Sequence, residues 1–331
     1  MTRGVQPQRG AQRRAQRGMT LVELTVAMAI GLFLIGGALY VFAQSKNGAR
    51  ASDSLARLQE SARFAMDTLE PDIRLARYWG LTSEPALVDV PPGVTVTCNG
   101  ASANAWAIVD LSAAVEVRDD AWNLPCPSFR NTPRVGSDVL ILRHAEPWQM
   151  NVQPAATNGR LQVQTLLARG QLFSDGVAPL GPAASTNNVT INVYYVSNDS
   201  SFDPNLPSLR RLTLGPNAEF DDQEVIPGVE NLQVQLGVDT DGDGDVDRYV
   251  DGNHPLVTPG AVGFAPNGRV VAVRLWLLVA TPSDDPAWVD QRRYATPDAD
   301  LGDIVAGSPG YPAGYRRLQI AKTIFLNNEG S

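Results

Sequence analysis

The sequence predicts an α+β protein in which one long N-terminal transmembrane and amphipathic helix packs on a C-terminal antiparallel β-sheet head with long loops. Three observations carry this reading. An apolar run without charge extends from Leu24 to Ala43, and apolar residues then recur at three-four spacing as far as Leu69. From residue 81 onward the pattern alternates instead. One helical block followed by many strands is the α+β signature.

Residues 1–18 form a leader with Arg3, Arg9, Arg13, Arg14 and Arg17 and no acid, so the positive-inside rule keeps it in the cytoplasm and sends the remainder of the chain outward. Residues 19–80 are the helix, with a membrane span at about 19–43. The run Leu24 to Ala43 is about 20 residues, and at roughly 1.5 Å each it matches a hydrocarbon core of about 30 Å. Glu23 sits at its edge, where a lone carboxylate costs roughly 2.5 kcal/mol or more.

Three readings of this segment compete. A secretory signal would use Val41-Phe42-Ala43 as its cleavage site, although the apolar run exceeds the usual h-region. A plain transmembrane anchor explains the length and the arginines but leaves Glu23 without a purpose. In the third, Gly18-Met19-Thr20-Leu21-Val22-Glu23 resembles the type IV prepilin processing motif: a basic leader ending in Gly, a mature chain with Glu as its fifth residue, and an unbroken apolar helix. Met19 stands where most pilins carry Phe. The resemblance implies cleavage after Gly18 by a prepilin peptidase, methylation of the Met19 amine, and an assembly role for Glu23. In a filament that carboxylate pairs with the amine that begins a neighbour's helix.

Beyond the span, Leu55, Leu58, Ala62, Ala65 and Leu69 form a stripe, while Asp53, Arg57, Glu60 and Arg63 lie off it. Pro71 predicts a kink or stop near Glu70, with "DIRLARYWG" as a short continuation closed by Gly80.

Residues 81–331 make the β-rich head. Strand candidates lie near 93–98, 105–111, 138–144, 160–168, 188–197, 209–214, 230–238, 269–280 and 316–326. "NLQVQLGVD" alternates like a strand with one dry face, and "VVAVRLWLLVA" reads as a central strand. Proline- and glycine-rich stretches at 145–159, 169–187, 198–208 and 281–315 read as surface loops. The blocks "LQESARFAMDTLEPDIRLARYWG", "VIPGVENLQVQLGVDTDGDGDVDRYVD", "VVAVRLWLLVA" and "YRRLQIAKTIFLNN" together resemble the PilW family of minor pilins. That resemblance implies a pilin-like fold and partnership with other minor pilins, the major pilin and a large pilus-tip adhesin. It further implies a single-pass inner-membrane protein with a periplasmic head, later part of a pilus on the cell surface that supports twitching motility, attachment or DNA uptake. A minor pseudopilin of a type II secretion system shares the processing motif and the helix, and a membrane-anchored calcium-dependent binding protein is a third reading.

Charge narrows the partners. Removing the leader takes five of 27 basic residues and none of the 35 acidic ones, leaving 22 against 35 and a net charge of −13. Direct nucleic-acid binding, which needs a basic surface, is not expected. Cys98 and Cys126 are the two cysteines, and on the extracytoplasmic side a disulfide is the expected state, against the alternative of two separate buried thiols.

"DTDGDGDVD" places carboxylates at Asp239, Asp241, Asp243, Asp245 and Asp247, with Gly242 and Gly244 permitting a tight turn. Hard oxygen donors at every second residue suit Ca²⁺, and the first half of the loop fits an EF-hand; position twelve is Val250 rather than Glu, leaving Asp251 or Asp247 to close the site. The alternative is a solvated acidic hairpin turn. No catalytic function is expected, since the chain has no G-x-S-x-G, H-E-x-x-H or phosphate-binding loop. Of the histidines, His144 is read as a strand-end surface residue, and the tryptophans as packing residues.

Overall fold

Leu21–Leu75 is a single α-helix, a span shared by two units of the chain, residues 1–53 and 54–331. The structure, a computed structural model, describes residues 19–82, 85–108, 111, 113–264, 270–285, 288–298 and 300–326. In the first unit the helix carries no charge from Leu24 to Phe42 and is solvent-exposed there except for half-buried Gly31, and its most apolar 18-residue window has a mean hydropathy of 2.3 with no part buried. It is long and apolar enough to cross a membrane.

In the second unit the helix buries Leu58, Ala62, Ala65, Met66, Leu69 and Ile73, one face that Ala76 continues just beyond the helix end. Leu55, assigned to that stripe from sequence, is exposed, and Met66 and Ile73 extend the face instead. Of the kink or stop expected near Glu70, the stop does not occur: the helix continues past Pro71 to Leu75. The Pro71 ring is exposed, so the carbonyl four residues earlier keeps access to water, while buried Leu69 and Ile73 hold the backbone on either side. The chain leaves the helix through a turn and reaches Gly80, whose φ is +83°. A Cβ there would lie 2.8 Å from the side-chain oxygens of Asn187 and Thr165, so this position combines left-handed backbone with close approach.

Two sheets enclose the helix stripe. In the smaller sheet, Arg248–Asp251, Val229–Val238, Val270–Ala280 and Arg317–Phe325 lie side by side in that order, all antiparallel, and Val270–Ala280 is an inner strand, as its apolar composition, broken only by Arg274, predicts. The larger sheet is built around Ser185–Ser197. On one edge this strand pairs first with Asn158–Leu166 and then, from Val189 onward, with Val139–Ala145; on its other edge it pairs with Ser208–Leu214. Glu219–Pro227 extends the sheet beyond Ser208–Leu214, and the short strands Val88–Asp89 and Thr97–Cys98 add as parallel neighbours at opposite ends. Leu140, Leu142, Tyr194 and Val196 face the helix core, whereas Val139, Ile141, Val193 and Tyr195 face a second core with Trp79 and Trp106. This alternation makes the large sheet dry on both faces at its centre.

Several expectations from sequence are corrected. The candidate strand 105–111 contains a helical turn, Asn104–Ala107. The Asn104 side chain accepts from Val96 N at 2.7 Å and donates to Val94 O at 2.9 Å, replacing a ladder by local bonds; residues 109 and 110 lie outside the described ones. The supposed loop 169–187 includes the strand Arg169–Asp175 and the start of Ser185–Ser197. Glu219–Pro227, with four acids in nine residues, is a strand whose polar composition hid it. Its pairing with Ser208–Leu214 brings buried Arg210 against Asp222 and Glu224, at 2.6 and 2.9 Å. Neither Val115–Arg118 nor Arg248–Asp251 is foreseen from sequence.

Candidate functional site

The first residues of the described chain hold the assembly end. Gly18 lies outside the described residues, and Met19 is exposed ahead of the helix. Thr20 occupies the helix N-cap: its Oγ1 accepts from Glu23 N at 3.3 Å, while Glu23 Oε2 accepts from Thr20 N at 3.1 Å and from Thr20 Oγ1 at 3.2 Å. This reciprocal pair is a capping box, which satisfies two backbone donors at the open end of the helix. The carboxylate also sits at the positive end of the helix dipole. The role of Thr20 is missed from sequence, although its T-x-x-E spacing with Glu23 carries the signal.

At the other end of the helix, Asp72 is its polar anchor. Its Oδ2 accepts from Asn192 Nδ2 and from Tyr194 Oη, both at 2.5 Å, and His144 Nε2 lies 3.8 Å from Oδ1. Burial pushes the Asp72 carboxyl up, but His144, Tyr194 and Asn192 together outweigh that and hold it below its ordinary value of 3.8. His144 is thus buried against the helix rather than on the surface, because the Val139–Ala145 strand continues as the inner neighbour of Ser185–Ser197. Glu70 accepts from Lys322 Nζ at 2.5 Å and from Arg74 at 2.7 Å; these bonds hold its carboxyl below the usual range. One turn of helix is therefore tied to both sheets.

Cys98 and Cys126 are bonded, with Cα atoms 5.8 Å apart and both residues buried in the second core. The bridge joins the short strand Thr97–Cys98 to a loop that also packs Trp122 on Tyr195, with ring centroids 4.5 Å apart.

The acidic segment is the turn of a hairpin between Val229–Val238 and Arg248–Asp251. Asp239, Asp241 and Asp247 converge, each offering a carboxylate oxygen within 4.8 Å of the others. Asp243 and Asp245 are not part of this group; Asp243 Oδ1 instead accepts from Asp245 N at 2.9 Å. Asp239 is buried and accepts from the backbone N–H groups of Asp241, Gly242 and Gly244 at 3.1, 2.5 and 3.0 Å. Asp247 accepts from Thr240 N at 2.6 Å and from the Thr240 hydroxyl, bonds that lower its carboxyl. Asp241 accepts from Asp243 N, yet the charges of Asp243, Asp247 and Asp239 prevail and raise it. Asp251 is opposite Gln235, three residue pairs from the turn, and binds that side chain. Asp247 is therefore the acid that closes the loop, because the hairpin register carries Asp251 away.

Comparison with known proteins gives two family matches. Residues 193–328 match the family described as Type IV Pilus-assembly protein W, and residues 13–39 match the Prokaryotic N-terminal methylation motif. The chain is 32% identical over 78 residues to a pilin-like protein, PilA3, of Thermus thermophilus; the match covers 23% of this chain and about a third, 34%, of that relative. A solved structure of a type IV-like pilin from Thermus thermophilus aligns at 15% identity with a TM-score of 0.35, covering 85% of this chain and 99% of the other.

Proposed function

We propose that this chain, a type IV pilin-like protein of pilus assembly that carries a prepilin-type methylation motif, serves there as a minor pilin of the initiating or tip complex. Its role is structural, not enzymatic. Prepilin peptidase cleaves between Gly18 and Met19 and the new amine of Met19 is methylated. The helix then remains in the inner membrane with the head in the periplasm until the subunit enters a pilus on the cell surface. Other minor pilins and the major pilin are its neighbours, and a large tip adhesin is a further partner; twitching, attachment or DNA uptake would follow from the pilus.

The observation that carries this reading is the juxtaposition of a polar start with an exposed apolar helix. Thr20 and Glu23 satisfy the first turn, and the same helix carries an apolar window of mean hydropathy 2.3 with no residue buried. Such a surface is stable only in lipid or among like helices. Glu23 contributes in two ways: it caps its own helix before assembly, and its remaining acceptor capacity is free to take the methylated amine of a neighbour in the filament. The four-residue offset between Met19 and Glu23, about 6 Å along the axis, sets the stagger. The hairpin acids Asp239, Asp241 and Asp247 supply the hard oxygen donors that Ca²⁺ prefers, so calcium is proposed to order this turn.

Intact-mass analysis of the membrane form tests the processing step: a chain beginning at methylated Met19 is expected, and a start at Gln44 would instead make the segment a secretory signal. Detection of the mature chain in sheared pili tests the assembly step, and its retention in the membrane of a piliated cell would favour the secretion-system reading.

A further inference from the structure

A second group of acids lies apart from the hairpin turn. Asp119 and Asp120 follow the strand Val115–Arg118, and Asp298 comes from the long connection after Val270–Ala280. One carboxylate oxygen from each falls within 4.8 Å of the other two.

The arrangement is rigidly held but electrically incomplete. Gly136 N donates to Asp120 O at 2.9 Å, and Asp120 N donates to Asp138 Oδ1 at 3.0 Å. Asp119 Oδ2 accepts from Asn253 Nδ2 at 2.6 Å, and Asp298 Oδ1 accepts from Asp300 N at 2.7 Å. These bonds hold the three residues in place. Asp120 Oδ1 and Asp298 Oδ2 are both buried and have no hydrogen-bond partner. Asp298 as a residue is 6% exposed. Among the described residues no Arg, Lys or His pairs with Asp119, Asp120 or Asp298. An uncompensated buried carboxylate costs several kcal/mol, and a cluster of them needs positive charge.

We propose that Asp119, Asp120 and Asp298 form a divalent-cation site, suited to Ca²⁺, that fastens the connection around Asp298 to the turn after Val115–Arg118. Two ligands of one calcium ion, each about 2.3 to 2.6 Å from it, lie at most about 5 Å apart, so the observed spacing fits a single shell. The donors are all carboxylates, with no imidazole or thiolate to favour zinc or copper. The carboxylates of Asp251 and Asp300 add further negative charge around Asp119, so the group is short of positive charge. The competing way to meet that deficit is a proton shared by Asp120 and Asp298.

Calorimetric titration of the full-length mature chain in detergent with CaCl₂ at neutral pH decides between them. The chain first carries Asp241→Asn and Asp247→Asn, which disable the hairpin cluster. One calcium per chain is expected to bind still, and adding Asp298→Asn is expected to weaken that binding at least tenfold. Circular dichroism of the chelated variants checks folding; Asp298→Asn should melt no lower than its parent in chelator, since it removes a buried charge. Asp119→Asn, at the more open edge of the group, is a second variant with the same expected loss. Absence of binding by the hairpin-disabled chain at millimolar calcium, or undiminished binding by folded Asp298→Asn, would overturn the proposal. A protonated-carboxyl infrared band at pH 7 that persists in millimolar calcium and is lost on Asp298→Asn would do so as well, in favour of the shared proton; buried Asp138, itself raised to about 8, contributes a band that this substitution leaves in place.

Discussion

Thr20 and Glu23 hold each other across the first turn of the helix, Thr20 N donating to Glu23 Oε2 at 3.1 Å and Glu23 N donating to Thr20 Oγ1 at 3.3 Å. The carboxylate that a membrane-spanning segment would be expected to avoid is therefore satisfied within its own chain. This changes the energetics of assembly: a neighbour's amine need not rescue a bare charge but adds to one already bonded.

The cap and the charge can be separated. Gln keeps the reciprocal hydrogen bonds of a capping box and removes the charge, whereas Thr20→Ala weakens the cap by about 0.5 to 2 kcal/mol and leaves the charge. Glu23→Gln should be inserted and processed yet enter sheared pili poorly, as should Glu23→Ala, while Thr20→Ala should be incorporated. Quantifying the three variants in sheared pili checks this, and full incorporation of Glu23→Gln would reduce the residue to a helix cap.

Asp72 should dominate the docking of the helix on the large sheet. Asp72→Ala leaves Tyr194 Oη and Asn192 Nδ2 without their acceptor, and a loss of about 3 kcal/mol is expected from thermal or denaturant unfolding. Its carboxyl is lower in the fold than the ordinary 3.8, so the stabilisation is fully present well above that value and is lost as pH falls from there through the folded value. The melting temperature of the parent should drop across this acid window, and Asp72→Asn should flatten that part of the profile.

The Cys98–Cys126 bridge spans 28 residues, for which the chain-entropy model gives roughly 3 to 4 kcal/mol. Cys98→Ser with Cys126→Ser should lower the unfolding free energy by about that amount. Neither cysteine of the native protein should react with a thiol reagent unless it is reduced.

Calcium at the hairpin turn should have a smaller effect. For a dissociation constant of about 10⁻⁴ to 10⁻³ M, millimolar calcium adds roughly 1 kcal/mol, or a rise of about 2 to 4 °C. Measured in a chain carrying Asp298→Asn, so that the other acidic group is silent, this rise should vanish on adding Asp241→Asn and Asp247→Asn. A melt indifferent to EDTA would leave the segment a polar turn.

Much of the helix and many of the strands were legible because their signal is periodic and local. Leu58, Ala62, Ala65 and Leu69 repeat at helical spacing and are buried together, and the strands Val229–Val238 and Val270–Ala280 alternate or run apolar where the structure pairs them. Pro71 left a kink and a stop both open in the sequence, and the helix runs on to Leu75 because the penalty for proline depends on whether the freed carbonyl meets water or protein. Glu219–Pro227 was illegible because its edge-like composition is offset by Arg210, a residue nine positions before its start.

By itself the sequence determined the processing motif, the length and apolar character of the first helix, the acidic balance of the mature chain and the presence of an acidic turn, since each depends on residues adjacent along the chain or on composition. Tertiary structure alone decided that Asp72 meets Asn192 and Tyr194, that Asp247 rather than Asp251 closes the turn, and that Asp298 joins Asp119 and Asp120 across more than half the chain. Contacts of that kind arise from strand register and loop path, which many distant pairings set together, and no local pattern of residues encodes them.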